Sequence, residues 1–218
     1  QGSVMKQLTL RAALAAVLLS AAAGLAAKPL VVCTEASPEG FDIVQYTTAV
    51  TADAAAETLF NRLVDFKPGT TDIQPALAER WAISDDGLTY TFHLRKGVRF
   101  HTTDYFTPTR ELNADDVLWS FQRQLDPAHP WHDKTSIGFP YFESMEFQHL
   151  LKAVEKTDPY TVVFHLARPE APFLRDLAMA FTSIYSAEYA DQLLKAGTTA
   201  DLNSKPVGTG PFIFQRYN

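Results

Sequence analysis

Across Leu88 to Arg95 the side chains alternate without a break: Leu88, Tyr90, Phe92 and Leu94 against Thr89, Thr91, His93 and Arg95. A period of two sends each set to its own face of a strand, so this segment has one buried face and one wet face. Trp81 to Ser84 joins it through Asp85-Asp86-Gly87, residue types that tolerate the left-handed backbone of a tight turn, and a hairpin is predicted. Lys96-Gly97 then reverses the chain into Val98-Arg99-Phe100, which extends the expectation to an antiparallel meander. A second hairpin is predicted around Thr157-Asp158-Pro159, where Tyr160, Val162, Phe164 and Leu166 alternate with Thr161, Val163, His165 and Ala167. TYTFHLR and TVVFHLA are alike, and because nothing around them repeats they read as two similar strands of one sheet.

Helical patterns fill the space between these strands. Thr51 to Leu63 places Ala55, Leu59 and Leu63 on one face. The stretch ELNADDVLWSFQRQLDP starts a helix at Asn113, whose side chain can cap the first turn. Asp115 and Asp116 stand at the positive end of its dipole, Val117, Leu118, Phe121 and Leu125 form its apolar face, and Asp126-Pro127 ends it. Tyr141 to Leu151 reads as a short helix, a further one follows Pro169 through Ala180 with Pro172 in its first turn, and another runs from Ser186 to Ala196 ahead of Gly197. Strand patterns open at Leu30-Val31-Val32 and again at Pro211 or Phe212. The fold class expected is a mixed α/β one.

From Met5, MKQLTLRAALAAVLLSAAAGLAA has the basic start (Lys6, Arg11), short apolar core and small-residue exit of a secretory signal peptide. Ala12 to Ala27 falls short of the roughly 20 apolar residues a spanning helix needs. Cleavage after Ala26 or Ala27 frees a chain that begins near Lys28, and the four residues ahead of Met5 are set aside. Losing two of 19 basic residues and none of 25 acidic ones leaves 17 against 25, a net charge of −8. That balance argues against nucleic acid, whose binding runs on phosphate neutralisation. With 46% apolar residues there is material for a core. Cys33 is the single cysteine, and Val32 ahead of it is not the small residue that lipid attachment requires.

Catalytic constellations are not evident. Asp85-Asp86 and Asp115-Asp116 are accounted for by a turn and a helix start. His129 and His132 lie close, but in a proline-containing loop without a helical frame, so no metal site and no cofactor is assigned. Gly208-Thr209-Gly210 lacks the Gly-Lys-Ser/Thr ending of a phosphate loop and reads as a turn. Trp81, Trp119 and Trp131 are better explained as core than as the lining of an apolar ligand cleft.

Four blocks in order, PALAERWAISDDGLTYTFHLRKGVRFH, ELNADDVLWSFQRQ, RPEAPFLRDLAMAF and KPVGTGPF, resemble the peptide/nickel-type family of extracytoplasmic solute-binding proteins of ABC importers, most closely its dipeptide-binding members. The resemblance runs from Lys28 to the last residue and implies a two-lobed periplasmic-binding-protein fold. Residues 28–60 would open lobe one, 61–182 would form an extra subdomain of antiparallel strands and helices, and 183–218 would return to lobe one, with the second lobe outside the chain. The groups holding the two charged ends of a peptide would lie in that second lobe. By position after SPEGF, Thr47 resembles a ligand-contacting residue, with Thr48 and Ala49 beside it. The implied partners are a dipeptide or short peptide, an inner-membrane ABC permease and a chemoreceptor, with the protein monomeric, periplasmic and not an enzyme. The alternatives are a haem, nickel or other solute, or a secreted enzyme. In the dipeptide-binding relatives the cysteine matching Cys33 pairs with one further along, which implies a disulfide whose partner lies past Asn218.

Overall fold

The structure, a computed structural model, describes residues 29–217. The segment read as a signal peptide lies outside the described residues. By its internal contacts the chain divides after Thr34, and the architecture below is that of the unit from Glu35 onward. In chain order it contains a 3-10 turn (Ile43–Gln45), α1 (Ala49–Ala55), β1 (Val64–Phe66), β2 (Ile73–Pro75), β3 (Ala78–Ile83), β4 (Thr89–Leu94), α2 (Ala114–Leu125), α3 (Pro140–Ser144) and α4 (Phe147–Leu150). There follow β5 (Leu151–Asp158), β6 (Thr161–Leu166), α5 (Phe173–Asp176), a 3-10 turn (Ala180–Thr182), α6 (Ala187–Ala196) and α7 (Asp201–Ser204).

The two look-alike segments become neighbours. β4 and β6 are the central pair of a four-stranded antiparallel sheet in the order β3-β4-β6-β5, with Tyr90 opposite Phe164 and Phe92 opposite Val162. Their alternation is kept: Tyr90, Phe92, Leu94, Val162, Phe164 and Leu166 are all buried, and α2 covers that face by setting Phe121 edge-on to Phe164 at 4.9 Å. The β3–β4 turn works as its residues suggest. Asp86 accepts from the Ser84 hydroxyl at 2.6 Å and from the Leu88 N–H at 3.0 Å, and Gly87 takes the left-handed conformation at φ +69°.

Several expectations are corrected. Val98 to Phe100 is not a strand, because the second edge of β4 is filled by β6 and the Val98 carbonyl instead accepts from the Leu112 N–H. The helix read over Thr51 to Leu63 stops at Ala55, since the following carbonyls are claimed from far along the chain. Phe212 N–H donates to Thr58, Gly210 N–H to Leu59, and Ile184 N–H to Asn61. Tyr141 to Leu151 splits into α3 and α4 at Glu146, whose backbone is left-handed (φ +56°), and Leu151 already belongs to β5. Of the helix read after Pro169 through Ala180, only Phe173–Asp176 is α-helical. Pro211 and Phe212 start no strand among the described residues. Leu30, Val31 and Val32, in the other unit, are exposed and form no strand among the described residues.

The α2 start is as read: Asn113 accepts from the Asp115 N–H and Asp116 from the Asn113 N–H, a reciprocal capping pair. Its apolar face is broader than the pattern suggests. Val117 and Phe121 are buried and Leu118 and Leu125 half-buried, but Trp119, Ser120, Arg123 and Gln124 are buried as well. α6 starts on the Ser186 hydroxyl, which accepts from the Tyr189 N–H, and ends at Gly197.

Gly208-Thr209-Gly210 is more than a turn. Side chains at either glycine would collide with the backbone of Thr58 and Leu59, and Asn61 Nδ2 donates to the Thr209 carbonyl at 2.8 Å. Only residues without a Cβ let these two main chains run this close. The segment thereby ties the end of the chain to the residues just before β1.

Candidate ligand cleft

Between Gly40 and Ala49 the chain makes the Ile43–Gln45 turn and enters α1, and nearly every polar group on the way is held. Asp42 receives both terminal nitrogens of Arg123, Nη1 at 2.9 Å, and Gln45 Nε2 at 2.6 Å. Gln45 Oε1 accepts from the Ser136 N–H and hydroxyl at 2.9 and 3.0 Å. The Arg123 guanidinium is itself boxed by Trp119, Trp131, Phe139 and Tyr185, each 5.5 to 5.7 Å from ring centre to guanidinium carbon. Burial alone would pull the Arg123 pKa down, but the Asp42 charge reverses the direction and it is raised. Asn203 of α7 reaches the same segment from the other side, with Oδ1 2.9 Å from the Asp42 N–H nitrogen and 3.1 Å from Tyr46 Oη. Burial pushes the Tyr46 phenol above its ordinary range, partly offset by that amide.

The three residues singled out for ligand contact come next, and the structure places them together and exposed at the start of α1. They line a cleft of about 280 Å³ with Tyr46, Phe66, Tyr141 and Met179 on its other sides. Their availability differs. The Thr48 hydroxyl is engaged, 2.8 Å from both Glu39 Oε2 and Thr51 Oγ1. The Thr47 carbonyl accepts from Tyr141 Oη at 3.4 Å, but its hydroxyl has no hydrogen-bond partner among the described residues. Ala49 contributes a small apolar wall. The cleft thus offers one free hydroxyl, an aromatic and thioether wall, and the Glu57 carboxylate at its rim, paired with Arg62 at 3.1 Å.

The remaining candidates sort differently. Asp116 takes a two-pronged contact from Arg110 and the Ala187 N–H, and Asp115 pairs with Lys156, so both serve structure. His129 stands edge-on to Trp119, its pKa lowered first by burial and then by the Arg123 charge, while His132 Nδ1 lies 2.9 Å from the Arg123 carbonyl oxygen. Among the described residues no three His, Cys, Asp or Glu side chains gather as metal ligands would. Trp81, Trp119 and Trp131 all pack in or against the core. Cys33 is exposed, in the unit that ends at Thr34. Asp42, Arg123 and Asn203 carry no motif, and sequence reasoning passed over them.

The family model for the middle part of the bacterial extracellular solute-binding proteins of family 5 matches residues 72–218. The chain belongs to that family. It is 66% identical over 214 residues to di/tripeptide-binding protein 4 of Pseudomonas aeruginosa (strain UCBPP-PA14), covering 98% of this chain and 40% of that protein. It is 57% identical over 187 residues to heme-binding protein A of Haemophilus influenzae, covering 86% of this chain and 34% of that one. Among solved structures, a dipeptide-binding protein from Pseudoalteromonas sp. SM9913 in complex with Met-Leu superposes with a TM-score of 0.82 at 41% identity, over 85% of this chain and 37% of that one. The family-5 chain described here therefore has the mixed α/β fold expected and spans about 40% of the length of the curated relatives it matches. No helix among its described residues is long and apolar enough to cross a membrane.

Proposed function

We propose that this chain forms part of the substrate-binding component of an ABC importer, which captures dipeptides or other short peptides in the periplasm and delivers them to an inner-membrane permease. The observation that carries the reading is the Tyr46–Ala49 cleft, open and with the Thr47 hydroxyl unengaged, in a chain so similar to a protein named for di- and tripeptides. Peptides in such proteins are held by hydrogen bonds to their main chain and by charge pairing at their ends, with room left for varied side chains. Closure of a second lobe over the cleft would change the surface offered to the permease and to a chemoreceptor. The protein works as a monomer, performs no chemistry on its ligand, and reaches the periplasm by the cleaved segment ahead of Lys28.

The division into residues 28–60, 61–182 and 183–218 belongs to the same reading. It is supported by the way Asn203, Gly210 and Phe212 bond back to the stretch from Phe41 to Leu59. Cys33, in the oxidising periplasm, would pair with a cysteine beyond Asn218 in a protein of its relatives' length.

A haem-binding role is the second reading, favoured by the similarity to heme-binding protein A. Calorimetric titration of the full-length gene product with a panel of dipeptides, beside absorption titration with haemin, separates the two. Heat with dipeptides and no shift of the haemin band supports peptide capture. A haemin complex with no response to any dipeptide would replace it.

A further inference from the structure

Asn203 sits on α7, far along the chain from the cleft, yet its side chain meets both ends of the Ile43–Gln45 turn. Oδ1 lies 3.0 Å from the Phe41 nitrogen and 2.9 Å from the Asp42 nitrogen before the turn, and 3.1 Å from Tyr46 Oη after it. Nδ2 adds a contact of 2.9 Å to the same phenol oxygen, and the Asn203 carbonyl accepts from the Phe41 N–H at 3.0 Å. One amide therefore staples the turn that launches Tyr46, Thr47, Thr48 and Ala49 into the cleft. Room for the staple exists because residue 40 is glycine: a Cβ there would collide with the Asn203 amide and with Tyr46 Oη. Asn203 faces a separate recess of about 180 Å³, shared with Asp42, Gln45 and Ser136, and does not line the cleft.

We infer that Asn203 is a positioning residue for ligand capture: it acts through Tyr46 to fix the direction of Thr47 to Ala49, without touching the ligand. The inference rests on the reading that this cleft takes the peptide. A loop fixed before binding loses less freedom when the ligand arrives, so affinity rises without any added contact.

The test uses the full-length protein and the dipeptide of highest affinity in the panel above, titrated well below each variant's unfolding temperature. Asn203→Ala is expected to weaken binding about tenfold, the size of one or two lost hydrogen bonds. Asn203→Asp keeps an acceptor for both N–H groups and the phenol, and is expected to return affinity to within about threefold of the parent. Asn203→Ala with a lowered unfolding temperature but unchanged affinity would overturn the inference, as would equal losses in the alanine and aspartate variants. If Asn203→Ala does not fold, Tyr46→Phe, which removes one side of the staple, carries the test: a loss of about threefold supports it and no loss overturns it. Thr47→Trp, which fills the cleft, keeps the two questions apart. Unaltered binding by Thr47→Trp defeats the cleft reading itself, whatever Asn203 does.

Discussion

The Arg123 guanidinium delivers both of its terminal nitrogens to the Asp42 carboxylate inside a box of four aromatic rings, and neither side chain meets solvent. The pair joins the middle of the molecule, helix α2, to the segment that leads to the cleft. Its charges lie where water cannot compensate either one alone, so removing one partner costs more than the pair contributes. Arg123→Met is therefore expected to destabilise the protein by about 3–5 kcal/mol in urea unfolding. The double variant Asp42→Asn, Arg123→Met should recover a measurable part of that loss. A double variant less stable than the single one would mean that the pair is not a closed unit.

Gly208 offers a test of the close approach between two main chains. Its Cβ would fall inside the Leu59 carbonyl, and both chains are core-anchored, so Gly208→Ala should cost at least about 2 kcal/mol. Gly69→Ala, where a Cβ meets nothing within 4 Å, faces only the strain of φ +73° and should cost about 1 kcal/mol. Thermal unfolding of the two variants side by side checks the order.

Asp176, at the end of α5, has its carboxyl pushed up to about 6, first by burial and then by the Glu170 charge. A carboxyl with a raised folded-state pKa binds more protons in the native than in the unfolded state. Stability from this group is thus fully present below about pH 4 and declines as pH rises toward 6. Asp176→Asn is neutral throughout, so it should unfold at higher temperature than the parent at pH 7.5, by about 1 kcal/mol of stability, with the advantage shrinking toward pH 4.5. An advantage independent of pH would assign the effect to packing instead.

The parts of this fold that could be read in the sequence are those set by local chemistry. Asn113 and Asp116 announce the start of α2, Ser186 and Gly197 bracket α6, and Asp86-Gly87 closes the β3–β4 hairpin, each within one turn of chain. That β4 and β6 belong to one sheet was legible from their matching alternation, while their direct pairing was not. What escaped was decided at long range. Val98 to Phe100 lost its place beside β4 to a strand much later in the chain, and the helix beyond Ala55 gave way to bonds from Ile184, Gly210 and Phe212. The cleft divides in the same manner. Thr47, Thr48 and Ala49 were located through a family resemblance, while Arg123 and Asn203, which hold the loop in place, looked like ordinary polar residues until their partners were seen.

The central claim is that a short peptide occupies the Tyr46–Ala49 cleft, and hydrogen exchange of the full-length protein with and without saturating dipeptide addresses it directly. The segment from Tyr46 to Val50 and the opposite wall from Ala178 to Ala180 should exchange more slowly in the complex, while the β3–β4 hairpin stays unchanged. Dipeptide binding by calorimetry with no added protection at either wall would contradict the claim and place the ligand elsewhere.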